Sequence, residues 1–342
     1  MIRKLTGFLL AAVLLSGCTV PMGKPAATIY EATFLTLFDT VTTIKGAARS
    51  EAEFAETAQK IHDDLLYYHR LFDVYNDYEG VNNLKTVNDN AGVGPVTVDG
   101  ALIELLTDCR TYYELTGGKV HVCMGSVLLL WHEERNNGLD NPAAAKLPDM
   151  EELKEAFRHG DFSCVVVDEA ASTVYLSDPQ MRLDVGAIAK GWAAQKVAEA
   201  APAGLLISVG GNVCATGPKT ANTPWVIGVR DPAGSAGDYL HTLYVSGGSV
   251  VTSGDYQRAY MVDGEIYHHI IDPETLFPAK YWRSVTVICE DSGLADALST
   301  ALFLLPLEAG QALLEESGAE AMWVDASGNC FYSPGFRENI RT

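Results

Sequence analysis

An aspartate and a threonine stand four residues apart in an otherwise apolar run, "GLADALSTALFLL" at 293–305. Side chains at i and i+4 share a helix face, so Asp296 and Thr300 point the same way. A bare carboxylate is costly on a helix that faces a core. Two readings fit. In one, Asp296 lies in the first turn of its helix, with Ser292 as N-cap, and complements the dipole; Thr300 then bonds its own backbone. In the other, carboxylate and hydroxyl hold a hard cation such as Mg²⁺, which prefers oxygen ligands. The residues alone leave both open.

Other segments carry groups suited to phosphate and proton chemistry. In "RLDVGAIAKGWAAQKV" at 182–197, Asp184 precedes a glycine-bearing turn and Lys190 opens a small-residue helix. Free N–H groups at a helix start, beside a lysine, suit a pyrophosphate. The glycine spacing and Lys-Ser/Thr pair of a P-loop are missing, so on spacing alone a plain turn with a surface lysine is the simpler reading. "ISVGGNV" places Gly210 and Gly211 after an apolar strand, and "VVTSGDYQRAY" ends a strand at Ser253 and Gly254. Either is a close backbone approach to a ligand or a tight turn. "YHHIIDPE" holds His268 and His269. In a strand these face opposite ways, so at most one serves a given pocket as acid or base. Asp272 and Pro273 read as a turn signal.

The elements that must position these groups follow from pattern and punctuation. Residues 29–45 read as a first strand, followed by a helix with Ser50 as N-cap and Glu53 completing a capping box. Residues 76–99 read as a loop, 100–118 as a helix stopped by glycine, and 119–136 as extended then helical. A short helix lies in 149–157 and a hairpin in 163–177. Strands are predicted within 204–217 and 225–232, three more across 240–273, one at 284–291, and a closing hairpin at 321–333. Long helices early and strands late predict an α+β fold, a single intertwined domain of mixed and antiparallel sheets with flanking helices.

The chain has 342 residues and a formal net charge of -20, which disfavours nucleic acid and anionic lipid head groups as partners. A phosphate-bearing ligand therefore needs a local device. The N-terminus, "MIRKLTGFLLAAVLLSGC", has the form of an export signal. Its ending is similar to a bacterial lipobox, with Cys18 as the lipidated residue. The expected division is a signal at 1–17, a tether at 18–28 and a folded domain at 29–342. The mature protein is expected outside the cytoplasm, lipid-anchored to the membrane. The six remaining cysteines form no CxxC clip, and buried free thiols are the default for those in strands.

The segments "FDTVTTI", "LDVGAIAKGWA", "ISVGGN", "TSGDY", "HHIIDPETLFPA" and "SVTVICEDSGLADALSTALFLL" occur in one order. As an ordered set they resemble the ApbE-type FAD:protein FMN transferases, from about residue 30 to 335. The resemblance implies a T-fold-like core and Mg²⁺-dependent transfer of FMN from FAD, through a phosphoester, onto Thr or Ser of an acceptor flavoprotein. It implies Asp296, Thr300 and the backbone oxygen of Ala187 as Mg²⁺ ligands. Lys190 matches the phosphate-side cation. His269 matches the histidine that activates the acceptor hydroxyl, with His268 as the alternative. Asp184, Ser253 and Gly254 match pocket positions, as do Lys119, Val120 and His121. Tyr75 resembles an aromatic flanking flavin or adenine, and Phe38 falls where many relatives have Met.

Three positions depart from the family pattern. His121 stands where an acidic residue is usual, Leu276 where glycine is usual, and Phe38-Asp39 in place of Met-Gly. The resemblance implies an exported acceptor, such as a subunit of a membrane redox complex. No acceptor motif occurs in this chain, so self-flavinylation is not expected. The competing expectations are an FAD pyrophosphatase releasing FMN and AMP, and a flavin-binding lipoprotein without catalysis.

Overall fold

The computed structural model describes residues 28–341 except 236 and 257. The signal segment, Cys18 and all of the tether but Thr28 lie outside the described residues. In chain order the strands are β1 (Thr28–Leu37), β2 (Thr40–Ala48), β3 (Val96–Thr97), β4 (Val165–Asp168), β5 (Thr173–Leu176), β6 (Leu205–Val209) and β7 (Asn212–Ala215). Then come β8 (Trp225–Arg230), β9 (Tyr239–Val245), β10 (Gly248–Gly254), β11 (Tyr260–Val262), β12 (Glu265–Tyr267), β13 (Ser284–Cys289), β14 (Glu320–Val324) and β15 (Cys330–Tyr332). The helices are α1 (Glu51–Phe72), α2 (Leu84–Asp89), α3 (Gly100–Leu115), α4 (Gly125–Asp140), α5 (Met150–Arg158), α6 (Ala189–Ala200), α7 (Ser292–Phe303) and α8 (Leu307–Ser317).

One sheet organises the molecule, in the order β1-β2-β6-β7-β10-β13-β14-β15. Its neighbours pair antiparallel, as do the pairs of the three smaller sheets, so of the expected mixed or antiparallel sheets the antiparallel form is the one present. Helices α1, α6 and α7 pack on this sheet and bury a continuous apolar core that includes Ile44, Leu65, Ala193, Ile207 and Ala297. The α+β, single-domain expectation holds. No helix of the described residues is long and apolar enough to cross a membrane.

Several local expectations change. The predicted first strand is a hairpin, β1 with β2. Phe38 and Asp39 turn it, both left-handed at φ 52° and 54°, as a two-residue type I′ loop requires. Residues 76–99 are not all loop. Asn83 and Thr86 cap α2 reciprocally through side chain and backbone. The capping box of α1 is half formed: Ser50 Oγ accepts from Glu53 N–H, but the Glu53 carboxylate binds Arg49. The stretch 240–273 holds four strands, β9 to β12, rather than three. Strand β12 ends at Tyr267, so His268 and His269 lie beyond it, and strand alternation does not decide where they point.

Helix α7 is capped by Asp291, whose side chain accepts from Leu294 N–H at 2.6 Å. This corrects Ser292, which is instead the fully buried first helical residue and donates its N–H to Gln195 Oε1 of α6 at 2.8 Å. The two helices touch through Gly191. A Cβ there would lie 2.2 Å from Ser292 O and 2.5 Å from Asp296 Cβ. Backbone cannot yield like a flexible side chain, so Gly191→Ala forces α6 and α7 apart. Its expected cost is about 2–3 kcal/mol, read as a lower urea midpoint at unchanged m-value. A midpoint equal to wild type would show that the contact is not needed.

Candidate active site

The turn into α6 with its first residues, the cavity-facing side of α7, the end of β10, the turn before α4 and the segment after β12 line one cavity. It brings together Asp184, Ala187 and Lys190 from the first, Asp296 and Thr300 from the second, and Ser253 and Gly254 from the third. Lys119, Val120 and His121 join from the turn, His268 and His269 from the last, and Tyr75 from the segment after α1. Phe38 does not line it. Its left-handed backbone sends the ring edge-on against His69, at 5.5 Å between centroids, and the neighbouring Asp39 reaches the cavity instead.

Asp296 is 4% exposed and sits in the second turn of α7. Its Oδ2 accepts the Gly191 N–H at 2.8 Å and lies 3.5 Å from Lys190 Nζ. The carboxylate therefore caps the neighbouring helix α6, whose own N-cap residue, Ile188, supplies no side-chain acceptor. The dipole reading was right about the role and wrong about the helix. Among the described residues the Thr300 hydroxyl makes no bond back to its own helix; Ser299 does so, its Oγ donating to Asp296 O at 2.9 Å. Ser299 Oγ also meets Ser253 Oγ at 2.8 Å, which ties α7 to β10.

The donor chemistry fits a hard cation. A carboxylate, a hydroxyl and the Ala187 segment line the same cavity, and Asp296 Oδ1 has no hydrogen-bond partner among the described residues. Among those residues no three His, Cys, Asp or Glu cluster as a metal site. A cation here would rest on mixed oxygen ligands and substrate oxygens, the habit of Mg²⁺.

The Asp184 turn is fixed from outside. The buried Asn88 side chain donates to Leu183 O at 3.0 Å and accepts Leu183 N–H at 2.7 Å. Asp184 N–H donates to Val122 O, and Asp184 Oδ1 accepts Gly186 N–H, each at 2.8 Å. Lys190 Nζ donates to Gly186 O at 3.1 Å, holding its ammonium over the same turn. No local motif marked Asn88, because its partner is 95 residues away.

Lys119 is tied up in an ion-pair clamp with Asp272 at 3.0 Å and Glu274 at 2.8 Å. Burial would lower its pKa, but the two carboxylates outweigh that and hold it above the usual lysine value. The clamp joins the 119–121 segment to the turn at 272–276, where Leu276 is left-handed at φ 60°, the conformation that explains a family preference for glycine. Leu276 is buried against Trp131, whose indole N–H donates to Leu276 O at 2.9 Å. His121 lies edge-on between Tyr113 and Phe157, its Nδ1 buried without a partner, and burial lowers its pKa. For Tyr75, burial and then Asp184 push the phenol up to about 12, and the ring stacks on His132 at 5.0 Å.

His268 is held at both ring nitrogens: Nε2–H donates to Ala279 O at 2.8 Å, and Nδ1 accepts Ile270 N–H at 3.2 Å. It is a neutral structural group, poorly placed to take a proton; His269 beside it lines the same cavity. Burial lowers the His268 pKa, so the unfolded chain binds the extra proton. Stability is therefore lost as pH falls through the unfolded value near 6.5. His268→Gln is expected to cost about 1–3 kcal/mol at pH 7 and to flatten the loss between pH 7 and 5, read by urea unfolding at both. An unchanged pH slope would remove His268 as a contributor.

A match to the ApbE family covers residues 36–323. An FAD:protein FMN transferase of Treponema pallidum is 37% identical over 277 residues, 75% of each chain. One from Salmonella typhimurium is 26% identical over 345 residues, 96% of this chain and 95% of the other. The crystal structure of the ApbE protein of Thermotoga maritima superposes with a TM-score of 0.80 at 32% identity, covering 92% of this chain and all of that one. In ordered motifs, fold and extent of match, the chain belongs to the ApbE family.

Proposed function

We propose that this protein is a Mg²⁺-dependent FAD:protein FMN transferase. It moves FMN onto a Thr or Ser hydroxyl of an exported flavoprotein and releases AMP. The observation that carries the reading is convergence on one cavity: Asp184, Ala187 and Lys190 meet Asp296 and Thr300 from about 110 residues away in sequence. Ser253, Gly254 and His269 line it as well.

The new bond forms between the acceptor oxygen and the FMN phosphorus. The bridging oxygen leaves on AMP with the bonding pair, and the hydroxyl proton passes to a base, the role assigned to His269. Lys190, in the first turn of α6, offers positive charge to the pyrophosphate. Mg²⁺, when held by Asp296, Thr300 and Ala187, would neutralise phosphate charge and polarise the scissile bond. Asn88 and the Lys119 clamp keep the two walls in register. The reading includes a folded domain from residue 29, export by the 1–17 signal and a lipid anchor at Cys18.

The test is to incubate the protein with FAD, Mg²⁺ and an acceptor flavoprotein and to weigh the acceptor. A gain of one FMN is expected. Free FMN and AMP with an unlabelled acceptor would make the protein a pyrophosphatase, and FAD bound but intact would make it a binding lipoprotein. Asp296→Asn keeps an acceptor for Gly191 N–H but removes the charge. Transfer is expected to fall by about 100-fold or more with the urea midpoint largely retained. Full-rate transfer by this variant would sink the metal-site assignment.

A further inference from the structure

Two guanidiniums line the cavity beyond the residues the family pattern singles out, Arg135 of α4 and Arg258 of the segment between β10 and β11. The chain has 44 acidic residues against 24 basic ones, so an arginine without a carboxylate needs a reason. Among the described residues neither has one within 4.0 Å. Arg135 Nη2 donates instead to two neutral groups, His132 Nδ1 at 3.0 Å and Asn136 Oδ1 at 3.4 Å. Arg258 is exposed on the cavity wall and held left-handed at φ 45°, a conformation that a residue with a Cβ enters only under constraint.

The surroundings favour a nucleotide. His132 stacks on Tyr75, with rings 26° apart, and this aromatic shelf adjoins the arginines. Tyr75 and His132 both feel the charges of Asp184, Arg135 and Arg258, which places all five in one electrostatic neighbourhood. Burial, and then Arg258, push Arg135 below the usual guanidinium range. Two like charges facing a common space stabilise an anion placed between them, and planar guanidiniums match phosphate oxygens in pairs.

We propose that Arg135 and Arg258 hold the phosphate of the adenylate half of FAD, the half that leaves as AMP. The inference rests on the transferase reading. In that reading Lys190 attends the phosphate that is attacked, and a dinucleotide carries a second one. When the acceptor oxygen bonds to the FMN phosphorus, the bridging oxygen departs with the electron pair. The adenylate phosphate thus gains a negative charge as the bond breaks, where two guanidiniums without carboxylate partners stabilise it most.

The experiment titrates the full chain with AMP, riboflavin and FAD, in wild type, Arg135→Gln and Arg258→Gln. Each variant is expected to bind AMP about tenfold more weakly and riboflavin, which has no phosphate, within about twofold of wild type. Arg258→Lys should recover part of the loss. AMP affinity unchanged in both variants overturns the proposal, as does an equal loss for riboflavin. An unchanged affinity for AMP and FAD with a raised KM for the acceptor would make the pair an acceptor-docking site and also overturn it. Failure of wild type to bind FAD, with arginine-dependent AMP binding intact, would sink the transferase reading and leave the subsite standing.

Discussion

The contact between Asp296 and the start of α6 holds the cavity together. A buried carboxylate is costly unless donors or a cation meet it, and one Asp296 oxygen, Oδ2, is met from within the chain. Here the donors come from another helix: the Gly191 N–H at 2.8 Å and the Lys190 ammonium at 3.5 Å. Satisfying the charge fixes α6 against α7 at a separation that only glycine permits at position 191. The same two helices carry the candidate phosphate and cation groups. The interaction that makes the charge bearable in the core is thus also the one that aligns the chemistry.

Around this contact the protein builds rigid walls from long-range pairs. Asn88 grips Leu183 through both amide groups, and Ser299 links α7 to β10 through Ser253. Lys119 spans 153 residues to reach Asp272. Each bond joins segments that are remote in sequence, so a substitution at Asn88 or Lys119 acts on the site through geometry. The family departures fit this frame. Asp39 and Leu276 occupy left-handed positions where glycine is the easy choice, Asp39 in a turn that tolerates aspartate and Leu276 with its side chain buried in compensation.

Much was legible in the chain itself. The helix carrying Asp296 and Thr300, the Asp184–Lys190 turn and the α+β class follow from periodicity and punctuation, because those rules are local. The hairpin turn at Phe38-Asp39 was not, because the alternating pattern runs straight through it. Phe38 was assigned to the pocket from its motif position, yet its backbone conformation turns the ring toward His69. The two histidines were separated by a strand rule that does not apply, since the strand ends at Tyr267.

By itself, the sequence determined that an acid and a hydroxyl share one helical face, that a lysine follows a glycine turn, and in what order the family motifs run. Helical spacing and turn chemistry are properties of neighbouring residues, so a linear string contains them. Only the tertiary structure decided that Asp296 caps α6 rather than its own helix, that His268 is committed at both nitrogens although it lines the cavity with His269, and that Arg135 and Arg258 line the same cavity. Those facts depend on which distant donor fills which lone pair. That is settled by burial and packing across the whole sheet, where an unsatisfied polar group costs more than any local preference supplies.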